Sequence, residues 1–392
     1  MHRHPDSSEF LAPLYTDTAV RRHDTPMSDS INTVVVGAGV IGLACARALA
    51  LHGREVLVIE RNDGIGQETS SRNSEVIHGG LYYAPGSLKA KLCVAGKQAL
   101  YEYCESKVIP HRHTGKLIVA TRPEDAERLE RIAERARQNG VVDLEWLDEQ
   151  SIHSIEPAIN AAAALLSPST GIIDVHALMH ALQADLEAAG GYVALQSRLT
   201  GATQTHAGLQ LDIDSLGERT SLLAENVVNC AGLHASNVAE MLRGESADIP
   251  PTRYARGVYF EYAGPSPFQH LIYPMPEPGG LGVHATLDMA GALRFGPDVE
   301  WIRTIDYSVD PARGAAFASS IRHWWSAVDP ERLRPAYAGI RPKLTGPDAP
   351  PADFRITRTE YGNGDVVDLL GIESPGLTSA LTIADHVCAL LR

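Results

Sequence analysis

The 392-residue sequence predicts an α/β protein in which a Rossmann-like nucleotide domain and a second domain with a mixed or antiparallel sheet are each assembled from separated pieces of chain. Three observations carry this. Residues 33–60 hold a strand, a glycine turn, a helix and a second strand in register; residues 226–232 repeat the strand-to-glycine step; and residues 251–336 change to strands punctuated by proline and glycine.

In the first of these, Thr33 to Val36 reads as a buried strand, Gly37 to Gly42 as a GxGxxG turn, Leu43 to Leu51 as an alanine-rich helix and Glu55 to Ile59 as the second strand. Gly37 permits the tight bend, Gly39 lets a pyrophosphate approach the backbone, and Gly42 lets helix and strand pack closely, with the helix N-terminus facing the phosphates. Glu60 follows the second strand close to the ~20-residue offset of an acid that accepts hydrogen bonds from the adenosine ribose, and Arg61 stands beside it. Three glycines alone can mark an ordinary turn; the flanking elements in register make them a dinucleotide site.

Further along, Leu88 to Cys104 has apolar residues at helical spacing, Lys116 to Ala120 is a short strand, and Pro123 to Gln138 is an arginine- and glutamate-laced surface helix. The alternating pattern resumes at Thr170, with a helix ending at Gly190-Gly191, a strand over Tyr192 to Leu195, and a strand from Asn226 that runs into Cys230-Ala231-Gly232. Strands such as Gly257 to Glu261 follow, with turns at Pro274, Pro276, Pro278, Gly279 and Gly280. The last stretch reads as a strand over Val366 to Leu370, the turn Gly371 to Thr378 and a C-terminal helix. The expected domains are therefore 31–105, 168–250 and 337–392 for the nucleotide, and 106–167 with 251–336 for the substrate, after a disordered extension over 1–30. Interleaving of this kind distinguishes flavin enzymes from most nicotinamide enzymes.

Composition narrows the partners. A formal charge of −14, without a local lysine- or arginine-rich run, opposes nucleic-acid binding. The five cysteines (Cys45, Cys93, Cys104, Cys230, Cys388) are scattered without zinc spacing, which points to a reducing compartment and no metal. No run approaches the ~18 apolar residues of a membrane span, so the expectation is a cytoplasmic protein, at most peripheral on the inner face of a membrane. Met27 is a candidate start, and Asp6, Glu9, Asp17 and Asp24 argue against an organelle presequence over the first residues.

The most informative stretch is Thr69 to Cys93, TSSRNSEVIHGGLYYAPGSLKAKLC, because a segment rich in hydroxyls, glycine and histidine at this point can touch a cofactor's reactive end. Together with VVNCAGLHAS, RGVYF, LGVHATLD, AGIRPKL and the terminal GIESPGLTSAL, it resembles the FAD-dependent L-2-hydroxyglutarate dehydrogenase/oxidase family, within the D-amino-acid-oxidase-like flavoprotein superfamily. The resemblance spans Ile31 to Arg392. It implies a Rossmann-like FAD-binding domain, FAD as cofactor, a small L-2-hydroxy acid as substrate (L-2-hydroxyglutarate first) and oxygen, a quinone or another carrier as electron acceptor. One departure is Glu75, where the family pattern carries glycine; a carboxylate beside the flavin would repel a dianionic substrate.

The resemblance also assigns residues. Thr69, Ser70, Ser71, Arg72, Asn73 and Ser74 would hold the pyrophosphate and flavin edge, or form a solvated loop; Arg72 suits a phosphate. Cys230, Ala231 and Gly232 would pass beside the phosphates, and Gly371, Gly376, Leu377 and Thr378 would serve the flavin pyrimidine end, though such glycines also end strands and start helices. His78 is the candidate base for removing a hydroxyl proton, with His284 as rival or co-worker. Against this stand a histidine satisfied by backbone groups and a covalent flavin link. Arg341 would clamp the α-carboxylate through its planar fork or form a buried ion pair. Arg256 would bind a second carboxylate or brace a strand. Tyr82 is a further substrate candidate, and Lys89 and Lys91 either reach the cavity or face solvent. Trp324, Trp325, Cys45 and Cys388 read as core. The competing functions are an amine or amino-acid oxidase, a glycerol-3-phosphate dehydrogenase-like enzyme, an NAD dehydrogenase and a non-catalytic flavoprotein subunit.

Overall fold

The valines of Ser30–Val36 are β-branched and alternate between two apolar faces, so the strand is buried on both sides. Val35 packs under helices Val40–Leu51, Val175–Ala188 and Ala380–Leu390, whereas Val34 and Val36 face Leu209, Leu211 and the helix Ala235–Arg243. Each fully buried side chain of this size stabilises the fold by about 1.5–3 kcal/mol. The computed structural model describes residues 30–244, 247–275 and 282–392. Apart from Ser30, the expected extension with its Met27 start lies outside the described residues, as do Pro276, Pro278, Gly279 and Gly280.

Parallel pairing orders the first sheet as Tyr192–Ala194, Val56–Ile59, Ser30–Val36, Glu218–Asn229 and Gly364–Leu370, the strand order of a Rossmann half. Strands Ser197–Thr205 and Gly208–Ser215 extend it as an antiparallel meander, and Arg355–Tyr361 pairs antiparallel with Gly364–Leu370. Strands from residues 30–59, 192–229 and 355–370 meet here.

Among the described residues the second sheet has nine strands. Arg253–Tyr262 is its long central member, flanked by Glu300–Ile302, Leu293–Phe295 and Leu333–Lys343, all antiparallel. Ala285–Leu287 and Leu271–Pro274 continue it to Lys116–Ala120, the last step being parallel, and Ala163–Ser167 and Glu145–Asp148 complete it. Its core contains Phe260, Phe295, Trp324 and Trp325, so the tryptophan pair is core, as are Cys45 and Cys388 in the first domain. One boundary shifts. Leu333–Lys343 pairs with Arg253–Tyr262 over almost its whole length, so the strand carrying Arg341 belongs to the second sheet and not to the nucleotide segment expected from residue 337.

A small sheet of Val76–Ile77, Gly171–Ile173 and His111–Arg112 ties the 69–93 segment between the two domains. Helix Leu88–Lys107 follows, its N-terminus satisfied by Ser87 and by the Asp353 carboxylate, which accepts from the N–H groups of Leu88 and Lys89. Gly96 lets this helix touch the C-terminal turn: a Cβ there would lie 2.5 Å from the Thr378 carbonyl oxygen.

Candidate active site

A cavity of about 1630 Å³ runs from the GxGxxG turn, between the two sheets, to the face of the second sheet. Single-ligand pockets usually measure roughly 300–1,000 Å³, so this one has room for a dinucleotide and a small substrate together.

The nucleotide end is built from backbone proximity. The φ of Gly37 is +104°, a region L side chains rarely adopt, and a Cβ on it would lie 2.7 Å from the Cys230 carbonyl oxygen. Gly39 faces the Ser70 hydroxyl, which accepts from the Val40 N–H at 3.0 Å and so joins the 69–74 segment to the helix N-terminus. The buried Glu60 carboxylate accepts from the Ala38 N–H at 2.8 Å and the Asn62 N–H at 2.9 Å, which fixes it at the rim of the turn. Arg61 also lines the cavity, paired with Glu68. Gly42 does not line it; a Cβ there would overlap the Gly37 carbonyl, so it serves the packing of helix on turn.

Thr69, Ser70, Arg72, Asn73 and Ser74 line the cavity, whereas Ser71 turns its hydroxyl to the Glu68 carbonyl. The Arg72 guanidinium lies 4.3 Å over the Tyr307 ring, and its buried Nε has no hydrogen-bond partner among the described residues. An orphaned guanidinium nitrogen beside a glycine cradle fits a phosphate-bearing dinucleotide. Cys230, Ala231, Gly232, Gly376 and Leu377 line the cavity as well. Gly371 and Thr378 do not. Gly371 has φ +69° and sits against Leu344, and the buried Thr378 hydroxyl accepts from the His78 N–H at 2.9 Å. Both shape the site from behind.

At the far end His78, Tyr82, His284 and Arg341 all line one cavity. His78 lies 3.2 Å from Ser374, Nε2 to Oγ. Burial, then the nearby Lys116 and His284, hold its imidazole down at about 3, so it is neutral at physiological pH and able to accept a proton. His284 is buried and stacks on Tyr273 with centroids 3.6 Å apart. Arg341 is carried to the cavity by Leu333–Lys343; Gly257 opposite makes room, because a Cβ there would lie 3.1 Å from the guanidinium. Its hydrogen-bond partner is the Asp298 carbonyl oxygen at 3.4 Å, and among the described residues no carboxylate pairs with it. Gly339 lets the same strand approach the cofactor segment, since a Cβ there would lie 2.1 Å from the Arg72 carbonyl oxygen.

Arg256 is the expectation the structure corrects. Its guanidinium is engaged by Glu300 at 2.9 Å and Asp306 at 2.6 Å, and it does not line the cavity; adjacent residues of a strand point to opposite faces, and Gly257 takes the inner one. Lys89 reaches the cavity wall, where it shares the Glu373 carboxylate with Lys343, whereas Lys91 is exposed. Glu75 has φ +56°, the conformation that favours glycine, and its carboxylate turns to Arg294 at 3.4 Å, away from the cavity. The expected repulsion of a dianion by Glu75 is therefore not set up at the site. Sequence reasoning missed Tyr273, Ser374, Glu373 and Lys116. Ser374 and Glu373 stood inside the quoted GIESPGLTSAL, but KLIVA gave no signal that its lysine would be buried.

A family model described as FAD dependent oxidoreductase matches residues 32–390. The chain is 41% identical to a protein of Arabidopsis thaliana named mitochondrial L-2-hydroxyglutarate dehydrogenase, covering 93% of this chain and 84% of that protein. It is 38% identical to one of the same name from Caenorhabditis elegans, covering 68% of this chain and 62% of that protein. Among solved structures, an L-alpha-glycerophosphate oxidase from Mycoplasma pneumoniae with FAD bound superposes with a TM-score of 0.82 at 24% identity, covering 92% of this chain and 94% of that one, a likeness of fold.

Proposed function

The chain belongs to the FAD dependent oxidoreductase family, and from that premise we propose that it oxidises a small L-2-hydroxy acid, L-2-hydroxyglutarate first, to the 2-oxo acid. Its cofactor is FAD. One observation carries the reading: a neutral imidazole, His78, and a guanidinium without a carboxylate partner among the described residues, Arg341, face the same cavity.

When bound, FAD supplies the acceptor for the hydride that leaves the substrate's C2. Arg341 holds the α-carboxylate through two parallel N–H bonds and so fixes which face of C2 is presented. His78 takes the hydroxyl proton as the C2–H bond breaks with its electron pair and the C=O bond forms. Ser374 and Thr378 orient the histidine, one on its ring and one on its backbone N–H. His284, flat against Tyr273, is the alternative base. On the cofactor, Glu60 would serve the adenosine ribose, the 37–42 turn and Arg72 the pyrophosphate, and the Gly376-Leu377 backbone the flavin edge.

The names of the plant and nematode relatives support the substrate, and the site gives a reason for it, since an anionic acid needs a cation and its hydroxyl a base. Five buried free thiols support a reducing compartment. Among the described residues no helix is long and apolar enough to cross a membrane, in keeping with a cytoplasmic enzyme at most peripherally attached; "mitochondrial" is said of the relatives. Oxygen and a quinone stand as the candidate acceptors, separated by the rate at which each reoxidises the substrate-reduced protein. The test of function is anaerobic bleaching of the flavin across a panel of L-2-hydroxy acids, amino acids and glycerol 3-phosphate. Bleaching by L-2-hydroxyglutarate and not by the amino acids is expected; bleaching by an amino acid alone overturns the reading in favour of the amino-acid oxidase.

A further inference from the structure

Lys116 is buried, and its environment is unusual for a lysine. Its Nζ lies 5.2 Å from the ring centroid of Tyr82 and 4.8 Å from that of Tyr273. Among the described residues no carboxylate pairs with it, although an enclosed ammonium without a counter-charge is costly. Contact with two aromatic rings recovers only part of that cost. Both tyrosines line the cavity, and among the described residues neither phenol hydroxyl has a hydrogen-bond partner. Burial raises both phenols well above their ordinary range, so they remain donors at working pH. A cation against the rings makes those hydroxyls stronger donors.

We propose that Tyr82, Tyr273 and Lys116 form a receptor for the substrate's second carboxylate. The phenols donate to the carboxylate oxygens, and Lys116, behind them, is a positioning residue whose charge the bound dianion neutralises. The inference rests on the hydroxy-acid reading and deepens it, by assigning residues to the second carboxylate, and it gives to this cluster the task that Arg256, tied to Glu300 and Asp306, cannot perform. Two positive centres without carboxylate partners among the described residues, Arg341 and Lys116, match two substrate carboxylates in number.

The test uses the FAD-loaded protein and compares L-2-hydroxyglutarate with L-2-hydroxypentanoate, a monocarboxylate of equal chain length, by anaerobic flavin reduction. Hydrogen bonds to charged groups set the scale, roughly tenfold to a hundredfold. In Lys116→Met, Tyr82→Phe and Tyr273→Phe, the preference for the dicarboxylate should fall by about that factor, through a higher half-saturating concentration more than a slower limiting rate. A general structural lesion would slow both substrates alike and leave the preference where it was. An unchanged preference in flavin-loaded Lys116→Met overturns the proposal; if that variant does not retain FAD, the two Tyr→Phe variants, which each remove one hydroxyl, decide it in the same way. Failure of L-2-hydroxyglutarate to bleach the wild-type flavin overturns the function itself, whereas normal bleaching with unaltered preference in the variants overturns the receptor alone.

Discussion

His78 and Ser374 meet at 3.2 Å, imidazole Nε2 to hydroxyl Oγ, across 296 residues of sequence. The contact joins the segment after the first βαβ unit to the last turn before the C-terminal helix, and it sets the ring of the candidate base on the cavity. Thr378 reinforces it from the backbone side.

Replacing His78 by Asn should slow anaerobic flavin reduction by about 10²–10⁴-fold, the usual worth of a positioned general base. His284→Asn should slow it less, because its ring is packed on Tyr273 and lacks the Ser374 contact. Stopped-flow absorbance at saturating substrate measures both. If neither change slows reduction beyond its effect on binding, no histidine base operates.

Arg341→Lys keeps the charge and removes the planar fork. The expected result is a KM higher by roughly tenfold to a hundredfold, with FAD content retained. Steady-state kinetics on the purified variant check it.

The pH dependence follows from Lys116 and His78. Burial brings the lysine down to about 8, offset in part by Cys93, and the groups facing it are Cys93, His78, Tyr82 and Tyr273. The cation exists below that value, so affinity for a dianion is present at neutral pH and is lost as pH rises through about 8. His78, held at about 3 by burial, then by Lys116 and His284, is already unprotonated there and imposes no acid limb near neutrality. The profile of kcat/KM should therefore be flat from weakly acid to neutral pH and fall on the alkaline side; a steep acid limb near pH 6 would contradict it.

Glu60→Ala should weaken FAD retention, because two backbone N–H groups lose their acceptor at the rim of the turn. Leaving such groups unsatisfied costs about 1–3 kcal/mol, or roughly tenfold to a hundredfold in FAD affinity if it falls on the bound state. Flavin fluorescence on dilution reads it.

Gly339→Ala places a Cβ 2.1 Å from the Arg72 carbonyl oxygen, a backbone atom that cannot swing aside. Destabilisation by about 1–3 kcal/mol and a lower Tm are expected, as for other overpacked sites.

The cofactor half of the molecule was legible because its signals are local. A GxGxxG turn between two strands, with an acid after the second, fixes hand, spacing and helix direction over a few tens of residues. The Thr69 to Cys93 segment was legible for a related reason, since its hydroxyls, glycines and His78 fall in one contiguous stretch, although the Thr378 that holds the His78 backbone lies 300 residues away.

What only the tertiary structure decided concerns charges. Arg256 and Arg341 look alike in sequence, each on a strand with glycine nearby. Arg256 met Glu300 and Asp306, whereas Arg341 faced the cavity with a backbone carbonyl as its partner. Lys116 opens an apolar strand, the ordinary place for a solvated lysine, and became a buried cation because Leu271–Pro274 and Ala163–Ser167 pair on either side of it and Tyr82 closes over it. Glu75 was turned away by a backbone angle. The sequence by itself determined which cofactor is bound, since the nucleotide turn depends on backbone pattern. The substrate end waited on the fold, because a charge acts according to its neighbours, and these come from strands far apart in the chain.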